Sequence, residues 1–505
     1  MNRAPTESRH DVVVVGGGGS GLAAAIGAAA AGARVLVLER NAFLRGSTGM
    51  SVGSITSSST DLQRRRGIVD TPDEHFADMG VFTGALETRD NLELRRILVD
   101  EVPETVRWLT SLGAVFFGPM PEPPHRKPRM HNILPNSRAY IQNLRKECQR
   151  LKVDILLHAR ARKLIVRGDR VVGVETTVKD APQRHFADRA VILASGDYNA
   201  GSALRSRYTN VSADVEGINI NEGDGQLMAL DLGAEILNGD IVWGPLMRFV
   251  PPRRLHPLNA LPASRLMART MRFALERLPG GLLRPFIMSF VTTFLGPERS
   301  LFTDGAILMN RHGQRFAEEL DKPAHDVPLQ PGKCAYIVMD GAVMRKYTAW
   351  PHFVSTAPGM AYAYLPDYRR TRKDVYNEAP SLDGLADRLG IDRAAFRATI
   401  DGYNQALARG DIPGRSAAAR PISEPPFCAL GPVESRVVIT DGGLRVSLRH
   451  EVLRSDGTPI AGLLAAGSTG QGGLLLEGHG HHLAWAFTSG RRAGRFAAEL
   501  PPGPA

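Results

Sequence analysis

Gly16, Gly18 and Gly21 stand in the spacing G-x-G-x-x-G, and Glu39 follows eighteen residues after the last of them. The chemistry open to such a set is the grip of a dinucleotide. The first glycine permits a tight turn, the second lets main chain approach a pyrophosphate, and the third lets a helix pack closely on a strand. An acid at that distance accepts hydrogen bonds from the hydroxyls of an adenosine ribose. The spacing by itself does not separate NAD from FAD.

The elements that must position these residues can be read around them. Asp11 leads into four consecutive valines, the pattern of a strand buried on both faces of a parallel sheet, and these run into the glycines and an alanine-rich segment. That is strand, turn and helix, with the free N–H groups of the helix N-terminus available to phosphates. A second strand, ARVLVLE, ends on Glu39. The small-residue run from Gly46 to Ser54 leaves main chain exposed, suited to lying against a large planar ligand, and RAVILASGDY ends a further buried strand on Ala194, Ser195 and Gly196. Asp224 lies in an acidic turn ahead of a helical stretch.

At 505 residues the chain exceeds one ordinary core, so two domains are expected. The net charge of +10 is spread over single arginines without an aromatic-interleaved basic tract, which argues against nucleic acid. Cys148, Cys334 and Cys428 are far apart, so neither a disulfide framework nor a thiolate metal site is suggested, and a reducing cytoplasm fits. No signal-peptide core and no apolar run of membrane-spanning length occurs. Residues 264–296 form the one basic, amphipathic patch, expected to be a packed cap helix or else a peripheral contact with a membrane. Helices are expected within Pro72–Leu112, over Ser137–Cys148, in SLDGLADRLGIDRAAFRATIDGYNQALARG and from about His481 to the end; the proline-rich Phe116–Asn136 is expected to be a long loop.

Several of these stretches, in order, resemble the flavoprotein family that contains fumarate reductase and succinate dehydrogenase flavoprotein subunits and 3-ketosteroid dehydrogenases. They are VVVVGGGGSGLAAAIGAAAAGARVLVLER, GSTGMSVGS, AVILASGDY, EGDGQLMALDLGA, GAILMNRHGQRFAEE, GTPIAGLLAAGSTG and FTSGRRAG. The resemblance implies an α/β protein: a Rossmann-like FAD-binding domain, residues 1–240 and 431–505, with an inserted α+β capping domain at 241–430. It implies an FAD held at its ADP half by Gly16, Gly18, Gly21, Glu39 and Arg40, with Ala161, Ala194, Ser195, Gly196 and Asp224 also lining the cofactor. Ser47, Thr48, Ser51 and Gly53 follow the isoalloxazine, Gly467 and Ser468 lie near the ribityl chain, and the backbone of His482 and Leu483 meets the flavin C2 carbonyl. A helix N-terminus there stabilises the negative charge of a reduced flavin. The Gly46–Gly49 loop offers no histidine, so FAD is expected to be noncovalent.

The family exchanges a hydride between flavin and a carbon conjugated with a carbonyl. Here Phe302, Leu476 and Glu477 stand where dicarboxylate-handling side chains are expected, and Leu320–His325 and Leu475–Leu476 where ketosteroid dehydrogenases carry tyrosines. The acid or base is therefore sought among Glu477, His479, His481 and His325, with Tyr140 a further polar contact. No metal is expected at the GHGHH string. The expected activity is dehydrogenation of a CH–CH bond beside the carbonyl of an apolar, cyclic ketone, with a separate electron acceptor. The rivals are reduction of an enone or enoate by a separate electron donor, and a peripheral flavoprotein feeding quinone.

Overall fold

A computed structural model describes residues 6–179, 181–252, 262–279, 282, 284, 288, 292, 295–357, 361–415 and 419–503. Its central sheet has eight strands, running Glu451–Leu453, Pro459–Ala465, Ala181–Leu193, Thr6–Val15, Val35–Leu38 and Asp154–Leu156 in spatial order. Ala159–Arg167 and Arg170–Val178 add an antiparallel pair beside Ala181–Leu193. The four valines lie at the centre, Val13 opposite Leu36 on one side and Val191 on the other, all in parallel register. Val12, Val13 and Val14 are wholly buried, as a strand covered on both faces requires.

One face of this sheet is covered by two helices from opposite ends of the chain, Gly19–Ala30 and His481–Glu499. Their backbones touch. A Cβ on Gly494 would come 2.0 Å from the Ala24 carbonyl oxygen, one on Gly490 2.4 Å from that of Ser20, and one on Gly27 2.6 Å from that of Arg491. Only glycine at these three places permits the approach.

A second unit is built on a six-stranded sheet whose long central strand is Phe427–Val437, flanked by Cys334–Met339 and Ile307–Met309, with Leu246–Phe249, Tyr376–Ala379 and Glu216–Gly217 also attached. Period-two alternation decides where its side chains go. Leu308, Ala335, Ile337, Met339 and Leu430 enter a core with Phe302, Tyr347 and Tyr368. Ile307, Met309, Val338 and Ala429 point the other way, into a core closed by Leu382–Leu389 and Arg393–Arg409. The chain enters and leaves this unit through two short ribbons that pair with each other: Ile236–Leu237 on Gly443–Leu444, and Val242–Trp243 on Ile439–Thr440.

The helices Pro72–Thr83, Leu92–Ser111 and Arg138–Arg150 fall where periodicity put them. Phe116–Asn136 departs from expectation. It is no long loop: Val115–Met120 and Met130–Leu134 pair with each other, and Ser54–Thr56 joins them in a three-stranded sheet. The prolines mislead here, because Phe116, Met130 and Ile133 are buried and their packing outweighs the local preference for a turn. Helix Arg265–Arg277 packs Met271 and Leu275 against Val115 and Leu134 and leaves Leu266 and Phe273 exposed; the apolar stretch after it lies largely outside the described residues. No helix among the described residues is long and apolar enough to cross a membrane.

Replacing Gly494 with valine forces the two end helices apart. We expect a loss of about 1–3 kcal/mol in stability, the usual cost of overpacking, together with weaker retention of whatever the helix N-termini hold. A melting temperature equal to wild type would show that the contact is dispensable.

Candidate active site

A cleft of about 480 Å³ opens where the glycine turn, the Gly46–Ser54 run, the strand end at Ala194 and the start of the terminal helix converge. The turn is shaped by clashes that only glycine avoids. Gly16 has φ +112°, and a Cβ there would sit 2.3 Å from the Ala194 carbonyl oxygen; one on Gly21 would strike the Gly16 carbonyl. Glu39 is buried at the end of its strand, one carboxylate oxygen accepting the Gly17 N–H at 2.9 Å and the other the N–H and side-chain amide of Asn41. At the same end, Arg40 and Arg160 both reach Asp224, at 3.2 and 2.8 Å. Thr48 accepts the Gly19 N–H at 3.2 Å, which fastens the small-residue run to the first helix.

The far end is different in character. Trp243, Leu246, Val438 and Ile439, from the ribbons and the second unit, face His479, Gly480, His482 and Leu483 at the head of the terminal helix. Arg248 lines the same end, and burial lowers its pKa. Asp441 takes hydrogen bonds from Gln471 at 2.9 Å and Trp243 at 3.1 Å, while burial pushes its carboxyl up to about 6. His482 is half-buried, held down to about 4 by desolvation, and neither of its buried ring nitrogens has a hydrogen-bond partner. His479 is oriented by Glu122: both its backbone N–H, at 2.8 Å, and its Nδ1 meet the same Glu122 oxygen.

A long cleft with glycine-shaped main chain and a buried acid at one end, and unpartnered buried nitrogens at the other, fits an extended dinucleotide. The family model for an FAD-binding domain matches residues 11–475. The chain belongs to this FAD-binding family. It is 28% identical to the NADH:fumarate oxidoreductase of Klebsiella pneumoniae (strain 342) over 91% of its own length, spanning 44% of that relative. It is 25% identical to the 4-oxocyclohexanecarboxylate 2-dehydrogenase of Sinomonas cyclohexanicum, covering 97% of this chain and 93% of the relative. The fold matches the open conformation of a flavocytochrome c3 fumarate reductase with a TM-score of 0.73 at 24% identity, over 98% of this chain and 79% of that one. The protein is an FAD-dependent oxidoreductase acting on CH–CH groups.

In this flavoprotein the cleft is lined by Gly16, Gly18, Glu39, Arg40, Ser47, Thr48, Ser51, Ala161, Ala194, Ser195, Gly196, Asp224, Ser468, His482 and Leu483. Gly21, Gly53 and Gly467 stand behind the wall, where their lack of a side chain spaces the backbone; Gly53 and Gly467 take φ of +86° and +62°. Of the candidates for catalysis, His479 alone lines the cleft. The others require correction. His325 is exposed on a short turn and is not among the lining residues, because the segment folds against the second unit. Tyr140 is wholly buried, its hydroxyl donating to the Gly53 carbonyl and its ring packed on Phe487. Glu477 is half-buried outside the lining and offers its carbonyl to His481 Nδ1. His481 turns away from the cleft into a buried group with His75 and His125.

Arg248, Trp243 and Glu122 were not foreseen. Nothing in the local pattern of GPLMRF marks its arginine, since only the pairing of Leu246–Phe249 on the long central strand carries it to the cleft.

Converting Glu39 to alanine leaves the Gly17 and Asn41 N–H groups without an acceptor and removes the acid at the ribose end. We expect affinity for FAD to fall at least about tenfold, the equivalent of 1.4 kcal/mol, in a fluorescence titration of the apoprotein. Unchanged affinity would remove Glu39 from the cofactor site.

Proposed function

We propose that this flavoenzyme dehydrogenates the CH–CH bond next to the carbonyl of an apolar, cyclic ketone, with noncovalently held FAD and a separate electron acceptor. The observation that supports this most is the far wall of the cleft: Trp243, Leu246, Val438 and Ile439 offer an apolar surface with an arginine, Arg248, beside it. Bound flavin would supply the hydride acceptor. Arg248 donates to the substrate carbonyl oxygen, and its charge stabilises the negative charge that gathers there as the α-proton leaves. His479 takes that proton at Nε2. Its Nδ1–H is held by Glu122, which fixes the tautomer. Trp243 and Ile439 exclude water from the reacting face. The cofactor-binding roles of the fifteen predicted residues found among those lining the cleft, and the spacing roles of Gly21, Gly53 and Gly467, belong to this same reading.

A second reading rests on the same arginine. A desolvated guanidinium binds a carboxylate at least as well as a carbonyl, which supports reduction of an apolar enoate by the same site with electrons from a separate donor.

His479→Asn should slow anaerobic reduction of the enzyme's flavin by a saturated cyclic ketone by roughly 10²–10⁴-fold, the usual contribution of a positioned base, with little change in flavin content. Bleaching by succinate alone in a panel of ketones and acids, or a His479→Asn enzyme as fast as wild type, would overturn the proposal.

A further inference from the structure

Three imidazoles that the oxidoreductase reading does not use meet away from the cleft. His75 comes from the helix Pro72–Thr83, His125 from the connection between Val115–Met120 and Met130–Leu134, and His481 from the first turn of the terminal helix. All three are buried, and one ring nitrogen of each lies within 4.8 Å of the other two. His75 Nε2 and His481 Nε2 are 3.1 Å apart. His481 Nδ1 faces the Glu477 carbonyl and must donate to it, which leaves a lone pair on Nε2. His75 Nδ1 and His125 Nε2 are buried with no hydrogen-bond partner. A ligand held by His125 Nε2 and by the facing Nε2 atoms of His75 and His481 would meet the orphaned His125 nitrogen, whose burial without a partner is otherwise costly.

We propose that His75, His125 and His481 form a site for a divalent cation of the zinc type, which ties the first turn of the terminal helix to the helix Pro72–Thr83. Three neutral imidazoles are a common zinc ligand set, and nitrogens bound at about 2.0–2.1 Å in tetrahedral geometry lie about 3.3 Å apart, close to the separation of His75 and His481. Burial holds all three rings neutral, with His481 down to about 4, as a metal ligand requires.

The surroundings supply a second shell. The Glu477 carbonyl fixes His481. Asp78 Oδ2 lies 3.9 Å from His125 Nδ1, which now receives Arg129 Nη1 at 3.0 Å. Ligation through Nε2 puts the proton on Nδ1 and turns it from Arg129 to Asp78, giving the carboxylate–histidine pair common at zinc. Arg129 does not oppose the cation, because Asp70 at 2.7 Å and Asp78 already pair with it. Glu122 adds a further negative charge whose field reaches His481.

The site makes no use of substrate and is independent of what the flavin reacts with. Its test is a titration of tag-free, chelator-treated holoprotein with Co(II), followed by Zn(II) competition and elemental analysis. We expect one ion per chain, visible Co(II) ligand-field bands beyond the flavin absorption, and a zinc affinity lowered roughly 100-fold in both His75→Ala and His125→Ala, with His312→Ala unchanged. Wild-type holoprotein that gives no Co(II) bands, or flavin-retaining His75→Ala and His125→Ala proteins that bind as tightly as wild type, would overturn it. The wild-type titration decides the matter even if a variant does not fold.

Discussion

The backbone contact between the first and last helices is the constraint on which the cleft depends. Both helices start at the cleft: one at Gly19, directly after the glycine turn, the other at His481, followed at once by the lining residues His482 and Leu483. With side chains of ordinary size between them their axes would stand further apart and the two N-termini could not face one ligand. Small residues at Gly27, Gly490 and Gly494 let the helices approach until side-chain-free surfaces meet carbonyl oxygens, and Thr105 and Thr488 add a hydrogen bond at 2.9 Å beside the seam. The positive ends of two helix dipoles thereby open on one cleft; in the proposed cofactor placement they would meet phosphates at one end and a flavin's developing negative charge at the other.

The second unit contributes to the same cleft by a different device. Its sheet alternates side chains between two cores of its own, and it is joined to the first through a pair of two-stranded ribbons. Trp243 and Ile439 are paired residues of one ribbon and both line the cleft. The apolar end of the cleft is thus made where the chain crosses between units.

How much of this could be read from the chain depended on the range of the forces involved. The four valines, the glycines and Glu39 declared strand, turn and acid because each is fixed by its neighbours in sequence: hydrophobic periodicity and φ/ψ preference are local. The terminal helix was equally plain. Phe116–Asn136 was misread because its strands exist only through pairing with each other and with Ser54–Thr56, more than sixty residues earlier, and proline content says nothing about such partners. Arg248 went unnoticed for the same reason. Tyr140 and His325 were plausible by type, but burial in one case and distance from the cleft in the other take them out of reach.

The histidine string shows most sharply where adjacency in sequence ceases to be a guide. Successive residues of a helix point about 100° apart, because 3.6 residues make a turn, and the residue before the helix is freer still. His479 therefore leans outward to Glu122, His481 turns towards His75, and His482 enters the cleft beside Asp441, at 3.7 Å. Each meets a different partner from a distant segment. A cluster of identical letters thus yields three separate environments, one open to solvent and two dry enough to keep an imidazole neutral. What unites them is the left-handed Gly480, φ +91°, pressed against the Thr56 backbone so closely that a Cβ would sit 2.7 Å from its nitrogen. That close approach fixes the main chain between His479 and His481, on either side of which the rings take separate partners.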